Sequence, residues 1–387
     1  MSRIPARRIV GLACVAWSLA VPIARGDDPP PHRVEALEMI AGIFDGSGMT
    51  GKGWFHPGEM KYGWAWLAGR FDEDGDGAVI ADEFPGSAKD FARLDRDRDG
   101  KIEAEDFDWS DSSPYLRQGQ YFNYHFRRID LDKNGLVSRA EWDAFFARIG
   151  EGKEDLTPDD FRQALTMPPP PPPSSRPDSP PNASLPGAPS KKTLLVGMLR
   201  SEVGSVFEGP RVGRMAPDFT LPTRDGSRRV SLGEFRGKSP VVLVFGNVTC
   251  GPFRSRFGLV EDLNRRLGDR ATFLNVYVRE AHPIDGWRMP DNDEVGIEAR
   301  QPATFAARTA LAEVCGKRLK TRMTMLVDGM DDRVGHLYSG MPSRLYVIDK
   351  DGRVAYQSGR GPFGFKAGEL EQALLLTLLA EADPEPR

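Results

Sequence analysis

Cys250, one of the three cysteines, lies in the stretch FGNVTCGPFRSRF, residues 245–257, between an apolar run and a helix-like segment. The run 240–245 is rich in β-branched residues and predicts a strand covered on both faces. A sulfur at the start of the following helix faces unpaired N–H groups and the positive end of the helix dipole, which favour the thiolate. The residues predict a nucleophilic Cys250, although a lone cysteine is also commonly an inert core residue.

Three acidic segments predict a different chemistry, the binding of divalent cations. Each carries oxygen side chains at loop positions 1, 3 and 5, glycine at 6, an apolar residue at 8 and a carboxylate at 12, which is the EF-hand calcium-loop pattern. Including the backbone carbonyl at position 7, the predicted ligands are Asp72, Asp74, Asp76, Ala78 and Glu83; Asp95, Asp97, Asp99, Lys101 and Asp106; and Asp130, Asp132, Asn134, Leu136 and Glu141. Because Asp106 is shorter than a glutamate, the second loop is expected to bind calcium more weakly, or magnesium.

Two further segments, starting at Gly48 and Ile149, keep the frame of an EF-hand loop but lose its acidic ligands. Lys52 and Lys153 stand at position 5, where a positive charge repels a cation. We expect both segments to act as structural pairing partners. The predicted cofactor is therefore calcium, bound at three loops with dissociation constants of roughly 10⁻⁵ to 10⁻³ M.

The length of 387 residues indicates more than one domain. Residues 1–26 carry Arg3, Arg7 and Arg8 before a short apolar run, and predict a cleaved export signal and a secreted or periplasmic protein. The run is too short to span a bilayer, so no stable membrane span is expected after cleavage. Cleavage also removes Cys14, leaving Cys250 and Cys315.

A proline-rich segment, residues 166–190, predicts a disordered, extended linker. It divides an EF-hand domain, residues 27–165, from residues 191–387. Acidic residues outnumber basic ones by 30 to 17 over 27–165, whereas basic residues outnumber acidic ones by 25 to 21 over 214–382. A tether of this kind predicts that calcium acts on the first domain and leaves the second largely unaffected. No nucleic-acid-binding motif is found in either part.

The second half alternates strand and helix patterns. Strands are predicted on both sides of the turn at Asp225, at 271–278 and on both sides of the turn at Asp351; helices are predicted at 253–267, 305–319 and 369–379. The alternation indicates an α/β sheet of thioredoxin type. The predicted fold class is multidomain, an all-α EF-hand domain joined by the linker to an α/β thioredoxin-like domain.

Several strings of this half, FGNVTCGPF, NVYVREAHPIDGW and RLYVIDKDGRVAYQSGRGPFGF, resemble the iodothyronine deiodinase family over roughly residues 213–379. The resemblance implies that Cys250 replaces the selenocysteine of the family, directly after Thr249. It also aligns Tyr277, Glu280 and His282 with a Tyr-x-x-Glu-x-His-Pro element and implies that they supply protons. A histidine oriented by a carboxylate suits that role, so Glu280 is expected to hold His282.

The chain also departs from the family and from thioredoxins. Val248 and Phe253 stand where a second cysteine is common, and Arg300 stands where the family has a further histidine. Cys315, on the apolar side of a predicted helix, is either a resolving thiol or a core residue. The resemblance implies in addition a cis peptide bond at Met341–Pro342.

These residues lead to one main hypothesis, an exported calcium-binding thiol oxidoreductase that resembles a deiodinase. Its expected partners are a small-molecule or thiol substrate and an external thiol reductant. A thiol peroxidase or disulfide reductase of thioredoxin type is an alternative within the same enzyme class. A non-catalytic, calcium-dependent interaction protein is an alternative outside it.

Overall fold

The computed structural model of the chain describes residues 58–110, 113–166, 192, 195–197, 208–361 and 364–382. The predicted export signal, the segment from Gly48 to position 57 and the proline-rich residues 167–190 lie outside the described residues. Within the described ranges no helix is both long enough and apolar enough to cross a membrane.

The EF-hand module is built mainly from short helices. Its elements are β1 (Glu59–Met60), α1 (Trp64–Phe71), β2 (Val79–Ile80), α2 (Ala88–Leu94), β3 (Lys101–Ile102), α3 (Pro114–Ile129), α4 (Arg139–Gly150) and α5 (Pro158–Leu165). Val79 pairs with Ile102 across the antiparallel β2–β3 ladder, so position 8 of the first loop faces position 8 of the second. The module is therefore helical with one short β pair, which amends the all-α prediction.

The redox module is an α/β sheet with flanking helices. Its elements are β4 (Thr220–Pro222), β5 (Arg229–Ser231), β6 (Val241–Gly246), α6 (Gly251–Leu267), β7 (Thr272–Tyr277), α7 (Pro290–Glu294), α8 (Phe305–Arg318), β8 (Thr324–Val327), α9 (Arg333–Leu337), β9 (Arg344–Ile348), β10 (Val354–Gln357) and α10 (Ala367–Ala382). The large sheet has the order β1-β10-β9-β6-β7-β8. β6, β7 and β8 run parallel, and β9 and β10 close the sheet as an antiparallel hairpin beside β6. This is the predicted thioredoxin arrangement.

The central strand owes its position to its composition. All six residues of β6 are buried, as the continuous apolar run predicts for a strand covered on both faces. Pro252 stands in the first turn of α6 and Arg265 and Arg266 in its last, which suits the free N–H groups and the dipole of the helix. β8 and α9 were not predicted, because four and five residues carry too little periodicity to distinguish them from a loop.

The two modules are in contact, so the linker is not the only connection between them. That calcium leaves the second module largely unaffected stays a prediction. α10 packs on β9 and β10, on α6 and on α2 of the EF-hand module. The Glu371 carboxylate of α10 binds the Arg93 guanidinium from α2 and the Arg266 guanidinium from α6, with shortest N–O distances of 2.6 Å each. Trp109 Nε1 donates to Gln372 Oε1 at 2.7 Å.

The EF-hand module also extends the sheet of the redox module. Glu59 pairs with Gln357 and Met60 with Tyr356, so β1 is an antiparallel edge strand on β10. Backbone hydrogen bonds and a partly buried ion pair, which a proline-rich tether does not provide, therefore join the two halves.

Candidate functional site

Cys250 lies where β6 ends and α6 begins, at the N-cap of the helix. Its side chain is only 1% exposed. Burial raises the pKa of the thiol, and the Phe253 N–H group, the Arg254 charge and the Ser343 hydroxyl offset only part of this rise. The prediction that the pKa of Cys250 lies below that of a free thiol is therefore wrong for this conformation, because the loss of solvation outweighs the hydrogen bonds and nearby charges that favour the thiolate.

Arg254, one turn into α6, brings a positive charge beside this thiol. Its buried guanidinium donates to the Val248 carbonyl oxygen, and its Nη2 lies 3.9 Å from the position of a Cβ atom on Gly251. It therefore contacts the chain on both sides of Cys250. Its charge lowers the pKa of Cys250, opposing the effect of burial.

Tyr277, Glu280 and Thr249 form one buried hydrogen-bonded network. The Tyr277 hydroxyl accepts from the Val248 N–H group at 3.3 Å and donates to Glu280 Oε1. Glu280 Oε2 accepts from the N–H and hydroxyl groups of Thr249 at 3.1 and 2.8 Å. Burial raises the pKa of Glu280, so the carboxyl group can gain and lose a proton closer to neutral pH than an exposed glutamate can.

His282 lies close to this network, but Glu280 does not hold its ring. The Thr249 hydroxyl accepts from the backbone N–H of His282 at 3.0 Å. Nδ1 of the ring lies 3.1 Å from the Trp287 carbonyl oxygen, which can only accept, so Nδ1 carries the proton and Nε2 the lone pair. Burial lowers the pKa of His282 to about 4. The expected Glu280–His282 pair is thus replaced by Tyr277–Glu280, and His282 is neutral at pH 7.

Cys315 is fully buried in α8, and both cysteines are free thiols. Burial and then the Glu280 charge raise the pKa of its thiol, while Arg254 acts in the opposite direction. Cys315 therefore lies within electrostatic range of the same network. Its full burial suits the core alternative, and a resolving role would require a conformation that exposes the thiol.

The segment after α9 closes the site from the other side. The Met341–Pro342 bond is cis, as the resemblance implies. Asn247 Nδ2 donates to the Pro342 carbonyl oxygen at 3.1 Å, which fastens this segment to the cysteine turn. On the opposite flank Asn292 of α7 donates to the Thr249 carbonyl oxygen at 2.9 Å.

The three predicted calcium loops bring acidic oxygens together. Single oxygens of Asp72, Asp74 and Asp76, of Asp95, Asp97 and Asp106, and of Asp130, Asp132 and Glu141 lie within 4.8 Å of one another in each loop. Asp95 Oδ1 is buried without a hydrogen-bond partner among the described residues, as expected of an oxygen reserved for a cation. Hard oxygen donors at this spacing fit calcium.

In the loop that starts at Ile149, a lysine side chain pairs with the closing carboxylate. Lys153 Nζ lies 2.6 Å from Asp160 Oδ1, so an ammonium group pairs with the closing carboxylate. The arrangement fits the predicted structural role of this segment.

Comparison with known proteins places the chain in a family. A family model of iodothyronine deiodinase matches residues 190–376, and an EF-hand model matches residues 88–108 and 124–146. A thyroxine 5-deiodinase of Gallus gallus is 32% identical over 216 residues, which cover 54% of this chain and 82% of that protein. The chain belongs to the iodothyronine deiodinase family.

A second deiodinase is similar to this chain to the same degree. A thyroxine 5-deiodinase of Sparus aurata is 32% identical over 206 residues, covering 51% of this chain and 74% of that protein. The family membership and the thiol site together make this chain an oxidoreductase-type enzyme, as predicted, and its substrate is unspecified.

Solved structures similar to the redox module include a thioredoxin-family thiol:disulfide interchange protein from Chlorobium tepidum TLS, at 18% identity and a TM-score of 0.31, covering 43% of this chain and 97% of that one. A secreted disulfide oxidoreductase of Mycobacterium tuberculosis matches at 14% identity and a TM-score of 0.30, covering 40% of this chain and 93% of that one. The fold assignment depends on the sheet order and connections described above.

Three side chains around Cys250 were missed from the sequence. Arg254, Asn247 and Asn292 contact the cysteine turn, yet none belongs to a motif of recognised chemistry. Arg254 alone carried a signal, since position i+4 from Cys250 falls on the same helix face.

Proposed function

We propose that this enzyme removes iodine reductively from an iodinated phenol, with Cys250 as the nucleophile in place of selenocysteine. The observation that carries the proposal is the juxtaposition, in a chain of the deiodinase family, of a thiol at a helix start with the buried Tyr277–Glu280–Thr249 network. A soft sulfur suits attack on iodine, and the network suits proton delivery.

The proposed reaction balances in three steps, the last two of which each consume one external thiol. Cys250 gives up its proton to the network, and its sulfur bonds to the iodine as the carbon–iodine bond breaks. The carbon keeps the electron pair and takes a proton from Tyr277 and Glu280, so the substrate is reduced and Cys250 becomes a sulfenyl iodide. An external thiol releases hydrogen iodide and forms a mixed disulfide with Cys250, and a second external thiol restores Cys250 and leaves as the disulfide.

The proposed reaction requires that the substrate reach the sulfur of Cys250. With Cys250 only 1% exposed, a substrate reaches the sulfur only after the elements around the turn separate locally. Separation admits water and polar groups, which removes the main cause of the raised pKa of the thiol.

The calcium loops and export complete the proposal. We infer that the loops starting at Asp72, Asp95 and Asp130 hold calcium through the carboxylates that converge in each. Residues 1–26 direct the chain to a secreted or periplasmic location, where an external thiol serves as reductant.

A single-turnover assay tests the proposed reaction. Reduced protein is mixed in parallel with an iodinated phenol, a peroxide and a disulfide, and Cys250 is then examined by mass spectrometry. Iodide released when the iodinated-phenol reaction is quenched with a thiol, and absent from Cys250→Ser, supports deiodination. Sulfenic acid formed faster than iodide identifies a thiol peroxidase, rapid mixed disulfide a disulfide reductase, and no reaction with any of the three a non-catalytic interaction protein.

A further inference from the structure

The loop Asp130–Glu141, here the Asp130 loop, packs backbone to backbone against the first turns of α6. A Cβ atom on Gly135, at φ +83°, would lie 2.8 Å from the Arg254 carbonyl oxygen. A Cβ atom on Gly258 would lie 2.3 Å from the Gly135 carbonyl oxygen and 2.7 Å from Leu136 Cδ2. Glycine is needed on both sides of this contact, so the calcium loop and the helix that begins beside Cys250 fit without a gap.

The same loop reaches the other flank of the cysteine turn. Lys133 Nζ lies 2.6 Å from Glu294 Oε2, at the end of α7. Asn292, also in α7, is buried and donates to the Thr249 carbonyl oxygen. The Lys133–Glu294 pair is partly exposed and contributes little energy by itself. It nevertheless links the Asp130 loop to α7, while the contact between Gly135 and Gly258 joins the loop to α6.

The docked conformation is also the one that gathers the cation ligands. Oxygens of Asp130, Asp132 and Glu141 lie within 4.8 Å of one another while the loop contacts α6. Carboxylates so close repel one another unless a cation lies between them. A cation that binds this arrangement stabilises it, and with it the contact to α6, by mass action.

The loop Asp72–Glu83, here the Asp72 loop, offers a natural comparison. Both oxygens of Asp72 accept from the N–H groups of Gly75 and Gly77, and those of Glu83 accept from Glu73 and Ile80, all within the loop itself. It has the ligand pattern of the Asp130 loop, but a Cβ atom on its Gly75 or Gly77 would meet nothing within 4 Å.

We propose that calcium in the Asp130 loop locks α6 and α7 around Cys250 and so lowers the reactivity of the buried thiol, and that loss of calcium releases it. The inference depends on the proposed calcium binding and on Cys250 as the reactive thiol, and is independent of which substrate the enzyme uses. Calcium is then an inhibitory ligand of the redox module, which acts through the energy needed to open the cysteine turn.

The rate of Cys250 alkylation tests this coupling in the full-length reduced protein. Iodoacetamide is added with millimolar calcium or with a chelator, and the peptide that carries Cys250 is followed by mass spectrometry. Calcium should slow alkylation by about 5-fold to 150-fold, the usual range of coupling between two sites. Amide hydrogen exchange over residues 251–258 should slow in parallel.

Two matched substitutions separate the loops. Glu141→Gln should abolish the calcium effect on alkylation, whereas Glu83→Gln should preserve it. A calcium effect that survives in Glu141→Gln, or its absence in the wild type, overturns the proposal. If circular dichroism shows that Glu141→Gln is unfolded, Asp132→Asn takes its place and should raise the calcium concentration required. Because no iodinated phenol is present and alkylation requires no deiodinase activity, failure of deiodination leaves this result intact, and the reverse also holds.

Discussion

Replacing Gly258 by alanine perturbs the contact between the calcium loop and α6 in a way that can be sized from the structure. Alanine is the better helix former by about 1 kcal/mol, which favours the variant. The added methyl group, however, would lie 2.3 Å from the Gly135 carbonyl oxygen, so the backbone of the loop has to move. Overpacking of this kind costs about 1–3 kcal/mol. Since backbone yields less readily than a side chain, we expect Gly258→Ala to lower the free energy of unfolding by about 1–2 kcal/mol.

Gly119→Ala is the matched control, because Gly119 lies inside α3 and a Cβ atom there meets nothing within 4 Å. This variant should raise the free energy of unfolding by up to about 1 kcal/mol. Urea unfolding with saturating calcium compares the two variants, and calorimetry should show weaker calcium binding at one site of Gly258→Ala only. If Gly258→Ala is as stable as Gly119→Ala, the docking of the Asp130 loop on α6 is refuted.

Three further results are expected. Arg254→Met should raise the pKa of Cys250 because it removes a favourable charge, and the pH profile of alkylation should therefore move to higher pH by about one unit. Arg254→Lys should restore part of the shift, and an unmoved profile in Arg254→Met would contradict the electrostatic role of Arg254. His282 in the folded protein has a pKa of about 4 and stays neutral where the unfolded chain takes up a proton, so the free energy of unfolding should fall by up to about 3 kcal/mol as the pH drops from about 6.5 to 4. If the melting temperature of His282→Gln depends on pH as steeply as that of the wild type, this prediction is contradicted. Glu371→Gln should weaken the docking of the two modules by about 2 kcal/mol, a value kept low because Arg93 is half exposed and solvent screens its charge. An unchanged melting temperature would show that the ion pairs of Glu371 contribute nothing to stability.

Sequence patterns predicted the parts of this protein that depend on local information. The buried strand before Cys250, the helix after it and the hairpin at Asp351 follow from apolar periodicity and turn residues, and the structure confirms them. The EF-hand frames follow from spacing alone. Acidic oxygens gather in each loop, with the closing carboxylates Asp106 and Glu141 among them, whereas the predicted ligands Glu83 and Asp99 are not among the three residues that gather in their loops.

The rest depends on contacts between residues distant in the chain. Nothing near Cys250 in the sequence shows that its sulfur is enclosed, and burial is what reverses the expected direction of its pKa. Glu280 and His282 stand two residues apart, which suggested a pair, yet the tertiary fold gives the carboxylate to Tyr277 and Thr249. The docking of the two modules was missed for the same reason, because a flexible tether specifies reach and leaves the surfaces it brings together undetermined.

The central claim is that the sulfur of Cys250 accepts the halogen. Trapping the modified Cys250 after one turnover tests this claim most directly. Reduced protein is mixed with less than one equivalent of an iodinated phenol, quenched with a labelled small thiol and digested, and iodide is measured in the same sample. We predict one label on Cys250 for each iodide released, none on Cys315, and no iodide from Cys250→Ser. Iodide released without a label on Cys250, or at an undiminished rate by Cys250→Ser, would contradict the account.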